Sequence, residues 1–262
     1  MQYQYVTYKI EDNIGLITLN RADVLNSFHA EMAAELQEIL EDVNSNENVR
    51  CVLLTGSGRA FCAGQDLQEA TKNPEEEKIL GNFVEQMYNP IVNGIRQTPK
   101  PVVCAVNGVA AGAGANLALC CDIVFASNRA SFIQSFCKIG LVPDTAGSFF
   151  LPRLVGFGRA SALMLLGDKV SAQHAYEMGM IYKVIEDECL LEEAHETARY
   201  LATQPTKGLG YIKKALNSSL VNGLEQQLEV EKELQTLAGQ TEDYKEGVKA
   251  FLEKRKPKFT GN

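Results

Sequence analysis

The 262-residue sequence predicts an α/β fold on parallel strands, followed by a section that is helical only. Three observations predict it. Short apolar runs rich in Val, Leu and Cys recur through the first half, each too short for a core helix. Runs lead through turns of small residues into segments of helical spacing, and then into the next run. After residue 145 the runs nearly vanish and helical spacing continues to the end.

The elements follow in order. Residues 3–10 carry Tyr3, Tyr5 and Ile10 among polar neighbours, and 15–19 (GLITL) is apolar; Asp12-Asn13 between them marks a hairpin turn. Met32, Leu36, Ile39, Leu40 and Val43 recur at three and four, which predicts a helix over 27–44 that Asn26 or Ser27 can cap. A buried strand at 49–55 (VRCVLLT) leads to a Gly-rich loop at 56–64. A helix over 75–97 ends before Pro99. A second buried strand at 101–106 (PVVCAV) precedes a second Gly-rich loop at 108–114, a small helix over 114–120 and a strand at 122–127 (DIVFAS). One helix begins near Thr145. Others are marked at 158–166, 171–178, 189–203, 206–219, 222–238 and 241–254, with only 182–185 still reading as strand. Gln204-Pro205 breaks the chain. The expected division is therefore an α/β core at 1–203 and a helical region at 204–262.

Composition narrows the function. Apolar residues at 45% and charged residues at 22% are ordinary for a globular chain. A net charge of -8 is the wrong balance for a nucleic-acid binder. No apolar run approaches the roughly 20 residues that span a bilayer, and the N-terminus does not read as a signal peptide. Cysteines at 51, 62, 104, 120, 121, 137 and 189 are odd in number, lack C-x-x-C spacing and mostly sit among apolar residues. They point to a reducing cytoplasm, neither to disulfides nor to zinc. His29, His174 and His195 fall in helical segments among charged neighbours and read as solvated, so no metal site is expected.

No phosphate loop, nucleophile elbow or H-E-x-x-H motif is present. Two small-residue loops stand out, RAFCAGQDL at 59–67 and NGVAAGAGA at 107–115, each after a buried strand. Side by side, they could aim two backbone N–H groups at one oxygen. Tight packing of strand on helix demands the same small residues.

The runs GRAFCAGQDL (58–67) and KPVVCAVNGVAAGAGANLALCCDIVFAS (100–127) resemble the crotonase, or enoyl-CoA hydratase/isomerase, superfamily. LITLNR (16–21), GLVP (140–143), LPR (151–153), SAQ (171–173) and EGVKAF (246–251) extend the likeness along the chain. The resemblance implies a crotonase-like spiral of ββα repeats, with C-terminal helices that build a homotrimer or hexamer. It implies an acyl-CoA thioester substrate, coenzyme A being part of the substrate and no cofactor being needed. Its carbonyl oxygen would be held by the N–H groups of Gln65, after Gly64, and of Ala113, between Gly112 and Gly114. Ala63, Asp66 and Leu67 would lie against the CoA moiety. Asp66 also reads as the cap of the next helix.

Hydratases of the superfamily carry two Glu residues where this chain has Asn116 and Phe136. Neither exchanges a proton with water, and the resemblance places both, with Gly64, Gly112 and Gly114, against the substrate. An acid stands instead at Asp144, where several isomerases of the superfamily carry one. A helix cap is its plain structural reading. Residues 88–90 (YNP), 104–115, 201–206 (LATQPT), 208–210 (GLG) and 258–261 (KFTG) resemble the ring 1,2-epoxyphenylacetyl-CoA isomerases of phenylacetate catabolism. That resemblance implies conversion of the epoxide to an oxepin and Δ3-Δ2 enoyl-CoA isomerisation. The alternatives are an enoyl-CoA hydratase of fatty-acid β-oxidation, a non-catalytic acyl-CoA binder, or a dehalogenase-like hydrolase. The acyl pocket is expected to include 68–90 and the neighbourhood of Phe132 and Phe136. The basic tail at 254–262 (KRKPKFTGN) reads equally as a CoA contact and as a solvated end.

Overall fold

The computed structural model describes residues 3–70 and 80–262. Strands β1 (Val6–Glu11) and β2 (Ile14–Leu19) form the expected hairpin. Asp12 and Asn13 both take positive φ, +50° and +61°, the backbone that a two-residue hairpin turn requires. The hairpin opens a six-stranded sheet that continues, all parallel, through β3 (Cys51–Gly56), β5 (Val102–Val106), β7 (Ile123–Ser127) and β10 (Lys183–Ile185). β3 and β5 are buried at every residue, which explains their continuous apolar sequence. Helices α1 (Ala30–Ser45) and α4 (Asn89–Gln97) belong to the main core, with Val52, Leu54, Val102 and Cys104. Helix α9 (Leu190–Ala202) covers the other face through Leu190, Ala194, Ala198 and Ala202, against Leu53, Val103 and Phe125.

A second, four-stranded sheet was not legible in the sequence. It consists of β4 (Ala60–Cys62), β6 (Val109–Ala111), β8 (Ser131–Ile133) and β9 (Lys169–Ser171). The two segments expected as Gly-rich loops each hold one of these strands. β3 leads to β4, β5 to β6 and β7 to β8, so the chain crosses three times from the first sheet to the second before turning into helix. This is the ββα spiral of the resemblance.

Other boundaries differ as well. α1 starts at Ala30, and its cap is His29, whose Nδ1 accepts the Met32 N–H at 3.2 Å. Asn26 and Ser27 are buried before the helix, where the Asn26 amide donates to the carbonyls of Ser57 (2.9 Å) and Ala60 (2.8 Å). His29 is thus a cap, stacked edge-on to Tyr5 at 4.4 Å, and not part of a solvated helix face. His174 is exposed on α8 (Ala172–Glu177) as expected, whereas His195 on α9 is half-buried with its ring 3.0 Å from the Arg199 guanidinium. Of the helix expected over 75–97, residues 75–79 lie outside the described residues. The rest forms α3 (Leu80–Phe83), a π-helical turn (Val84–Tyr88) and α4, all after the short α2 (Leu67–Ala70).

Helices α5 (Ala113–Leu119), α6 (Gly147–Val155) and α7 (Phe157–Leu166) precede α8. Beyond residue 203 the described chain forms α10 (Thr206–Ser219), α11 (Leu224–Gly239) and α12 (Glu242–Leu252). Arg50 joins this region to the sheet. It donates to Thr206 Oγ1 (2.8 Å), the Gln204 carbonyl (2.6 Å) and the Phe259 carbonyl (3.3 Å). Lys213 of α10 reaches inward to the Asp122 carboxylate (2.7 Å), which also holds Arg96 (2.9 Å). No described helix is long and apolar enough to cross a membrane.

Candidate active site

The two small-residue segments meet where β4 and β6 end. Gly64 takes φ +93°, and a Cβ there would stand 2.8 Å from the Ala111 carbonyl oxygen and 3.4 Å from the Ala113 nitrogen. Only a residue without a side chain lets the backbone before Gln65 lie this close to the start of α5. Gly114 packs as tightly on Cys62, whose Sγ would be 2.7 Å from an added Cβ.

The amides of Gln65 and Ala113 are both left over by the local hydrogen bonding. Gln65 forms an isolated parallel bridge with Phe28. Phe28 N–H donates to the Gly64 carbonyl (2.7 Å) and Asp66 N–H to the Phe28 carbonyl (2.8 Å), so the Gln65 amide faces the other way. Ala113 is the first residue of α5, and a first-turn N–H has no intrahelical acceptor. Two such donors can hold one external oxygen, more strongly as it gains charge.

The Asp144 carboxyl lies in the turn before α6. It does not cap that helix, whose N-cap is Ala146 with no side-chain hydrogen bond. Thr145 and Ala146 both take left-handed φ, +50° and +58°, which delays the helix to Gly147. For a β-branched residue such as Thr145 this conformation is strained. Three hydrogen bonds hold the turn. Asn116 Nδ2 donates to the Asp144 carbonyl at 2.9 Å, Gly147 N–H donates to the same carbonyl at 2.9 Å, and Thr145 Oγ1 donates to Asp144 Oδ1 at 2.8 Å. Burial pushes the Asp144 carboxyl above the usual Asp range, and the Thr145 hydroxyl partly opposes this.

Asn116 is bonded through both its oxygen and its nitrogen. It is 1% exposed, and its Oδ1 accepts from Gln134 Nε2 at 2.8 Å while its amide holds Asp144. Gly147 packs so closely on the Asn116 side chain that a Cβ would overlap it. Asn116, expected from the sequence against the substrate, is placed by these bonds as a scaffold that ties α5 to the Asp144 turn. Gln134 and Thr145 were not recognised from sequence, and nothing in their local pattern marks them. Phe136 is buried, with its ring 3.7 Å from where a Gly112 Cβ would stand.

Gly64, Gln65, Gly112, Ala113, Gly114, Asn116, Phe136 and Asp144 thus share one neighbourhood. Ala63 is tied by its N–H to the Leu25 carbonyl at 3.0 Å. Asp66 pairs with Arg21 at 3.0 Å and accepts the Gln68 N–H at 3.2 Å, so its capping task is met. Leu67 is 48% exposed at the rim. Among the described residues no three His, Cys, Asp or Glu side chains gather as a metal site.

Two leftover backbone amides and a half-buried carboxylate in one neighbourhood suit an enzyme that moves a proton beside a carbonyl while holding the oxyanion. The chain belongs to the enoyl-CoA hydratase/isomerase family, whose match runs over residues 9–262. It is 51% identical over 259 residues to the 1,2-epoxyphenylacetyl-CoA isomerase of Escherichia coli (strain K12), covering 98% of this chain and 99% of the other. It is 33% identical over 262 residues to a trans-2-decenoyl-(acyl-carrier-protein) isomerase of Streptococcus mutans, covering all of both chains. A crystal structure of enoyl-CoA hydratase from Bacillus anthracis superposes with a TM-score of 0.94 at 35% identity, over 99% of this chain and all of that one.

Proposed function

We infer that the protein is an acyl-CoA isomerase that converts ring 1,2-epoxyphenylacetyl-CoA to the oxepin thioester and shifts Δ3 enoyl-CoA double bonds to Δ2. The observation that carries this reading is the pairing of Asp144 with Asn116. Asn116, on the helix that begins at Ala113, holds the Asp144 turn, and the position where a hydratase would need a second acid is thus a buried amide bonded through both its oxygen and its nitrogen. The 51% identity to the Escherichia coli isomerase supports the same substrate.

In the proposed reaction, Asp144 takes a proton from the carbon next to the thioester carbonyl. The electron pair moves into the carbonyl, and the enolate oxygen is held by the N–H groups of Gln65 and Ala113. In a Δ3 enoyl-CoA the proton returns at the far end of the conjugated system, so the double bond moves. In the ring epoxide the carbon–carbon bond shared by the epoxide and the six-membered ring opens to give the oxepin, and the proton taken beside the thioester returns to a ring carbon at the end of the extended enolate. In both cases no atom is gained or lost. Such a shift is redox-neutral and requires no cofactor beyond the CoA that the substrate carries. A raised Asp144 pKa suits both halves, since the group must take a proton and give it back.

Ala63 and Leu67 would line the CoA channel and Phe136 the acyl pocket. We further propose a homotrimer or hexamer in the cytoplasm. Leu216, Leu224 and Leu228 are 61%, 76% and 55% exposed on the C-terminal helices, more apolar surface than a monomer usually leaves in water. The core at 1–203 would hold chemistry and the helices after 204 would hold neighbours. Light scattering at micromolar concentration tests the assembly, and a monomer refutes it.

The functional test compares three substrates: ring 1,2-epoxyphenylacetyl-CoA, a Δ3 enoyl-CoA and a Δ2 enoyl-CoA with water. Isomerisation of the first two with hydration at least a hundredfold slower is expected. Efficient hydration would favour a hydratase. Binding without turnover of any of the three would favour a non-catalytic acyl-CoA binder.

A further inference from the structure

Tyr88 is a buried side chain that the proposed reaction does not use. It closes the π-helical turn Val84–Tyr88, and π-helical turns concentrate at functional sites. The residue is 2% exposed, yet its hydroxyl has no hydrogen-bond partner among the described residues. Native proteins rarely leave a buried hydroxyl unpaired without a use for it.

Its surroundings identify the use. The Tyr88 ring stands edge-on to Phe28, with centroids 6.1 Å apart at 84°. Phe28 is the residue bridged to Gln65, so Tyr88 is packed behind the first of the two amide-bearing loops. The Gln65 Nε2 amide is likewise buried and without a partner. Both leftover groups on this side can therefore donate. Burial first, and then the negative charge of Asp144, drive the phenol well above its ordinary pKa. It stays protonated at any working pH and remains a donor.

We propose that the Tyr88 hydroxyl donates a hydrogen bond to an oxygen on the acyl group, and so selects ring-oxygenated acyl-CoA over all-carbon acyl chains. This rests on the acyl-CoA isomerase reading. An epoxide or oxepin ether oxygen is an acceptor that satisfies the buried donor. A hydrocarbon chain fills the same space and leaves the hydroxyl unpaired, which is how a polar site rejects an analogue lacking the matching group.

The test uses the intact protein and Tyr88→Phe. Calorimetric titration with phenylacetyl-CoA and 2-hydroxyphenylacetyl-CoA compares a ring without and with an oxygen. The unaltered protein is expected to prefer the oxygenated ring by about tenfold, one well-placed hydrogen bond, and Y88F to prefer neither by more than about twofold. In turnover, the ratio of kcat/KM for the ring epoxide over a Δ3 enoyl-CoA falls at least tenfold in Y88F. The melting temperature of the free variant stays level or rises, because an unpaired buried group has been removed.

A preference that survives in Y88F overturns the proposal. Equal losses on both substrates overturn it too. So does a shifted acid limb of the enoyl-CoA pH profile, because the phenol would then act through Asp144. If the unaltered protein isomerises neither substrate, the isomerase reading fails, while the titration still decides Tyr88 by itself.

Discussion

Replacing Asp144 by Asn separates proton transfer from everything else the residue does. The amide keeps the size of the carboxyl. The backbone carbonyl still accepts from Asn116 and Gly147, and the side-chain oxygen can still accept from Thr145. No helix cap is lost, since α6 has none from this residue. Stability should change by no more than about 1 kcal/mol, and in the favourable direction, because burial penalises the carboxylate. Losing a positioned general base costs about 10²- to 10⁴-fold in rate, or roughly 3–5 kcal/mol of activation free energy. The assay is the appearance of conjugated 2-enoyl-CoA absorbance from a Δ3 substrate, beside calorimetric affinity for the same acyl-CoA. Affinity should hold within about threefold, under 1 kcal/mol. If the variant keeps a tenth of its turnover, a loss of about 1.4 kcal/mol or less, Asp144 is not the base. The pH dependence adds a second check. Turnover should fall as pH drops through the raised Asp144 pKa, so the acid limb lies above the ordinary Asp range. Stability runs the other way. The folded state binds this proton more tightly than the unfolded chain, so this group's contribution declines as pH rises from the unfolded value through the folded one. D144N should remove both the limb and that decline.

Gly64→Ala places a Cβ against the Ala111 carbonyl at φ +93°; a stability loss of about 1–3 kcal/mol and a fall in kcat of about 10²-fold are expected, and unchanged turnover would show that the Gln65 amide holds no oxyanion. Asn116→Ala leaves the Asp144 carbonyl short of a donor and strips Gln134 of its partner, at about 1–3 kcal/mol per buried group. Its melt should drop and its kcat should fall more than its acyl-CoA affinity; an equal fall in both would deny Asn116 the positioning task. Lys213→Ala deprives Asp122 of one of its two cations, and a thermal melt should show a loss of about 3 kcal/mol or more, with little effect on acyl-CoA affinity in the protein that remains folded.

The sequence made the first sheet readable because its strands are buried on both faces or turn at a recognisable dipeptide. VRCVLLT and PVVCAV cannot be solvated helices, and Asp12-Asn13 supplied the hairpin. The second sheet escaped because β4, β6, β8 and β9 are three residues each. No period can show in three residues, and two of these strands sit among glycines that suggest loop. Asp144 stood out as an acid within a recognisable motif. What could not be read was how it is held. The left-handed backbone at Thr145 and Ala146 accompanies the packing of Gly147 on Asn116, a contact between segments about thirty positions apart in the chain. Asn116 itself was visible as a missing acid on the substrate side, whereas the fold makes it the tie between α5 and the Asp144 turn. The capping role of His29 was hidden for a simpler reason: imidazole is an uncommon cap, and Asn26 and Ser27 stood nearby as better candidates.

The Arg50 contacts change what the basic tail can be. Asp243 on α12 is 2% exposed, and its carboxylate accepts from the N–H groups of Thr260 (2.7 Å) and Gly261 (2.8 Å). Arg255 is held by Glu246 and Glu253, and the Phe259 carbonyl returns to Arg50 beside β3. The last residues are therefore a seam stitched at both ends rather than a tether. Lys254, Lys256 and Lys258 project from that seam at fixed positions. Their attraction for a polyanion would be set by distance and angle, like a template, and not by the effective concentration of a loose chain. Trimming the chain after α12 would remove more than charge. It would strip a buried carboxylate of its donors and remove one of the three acceptors that hold the Arg50 guanidinium, so a shortened chain would loosen the seam between its two parts as well as lose cations.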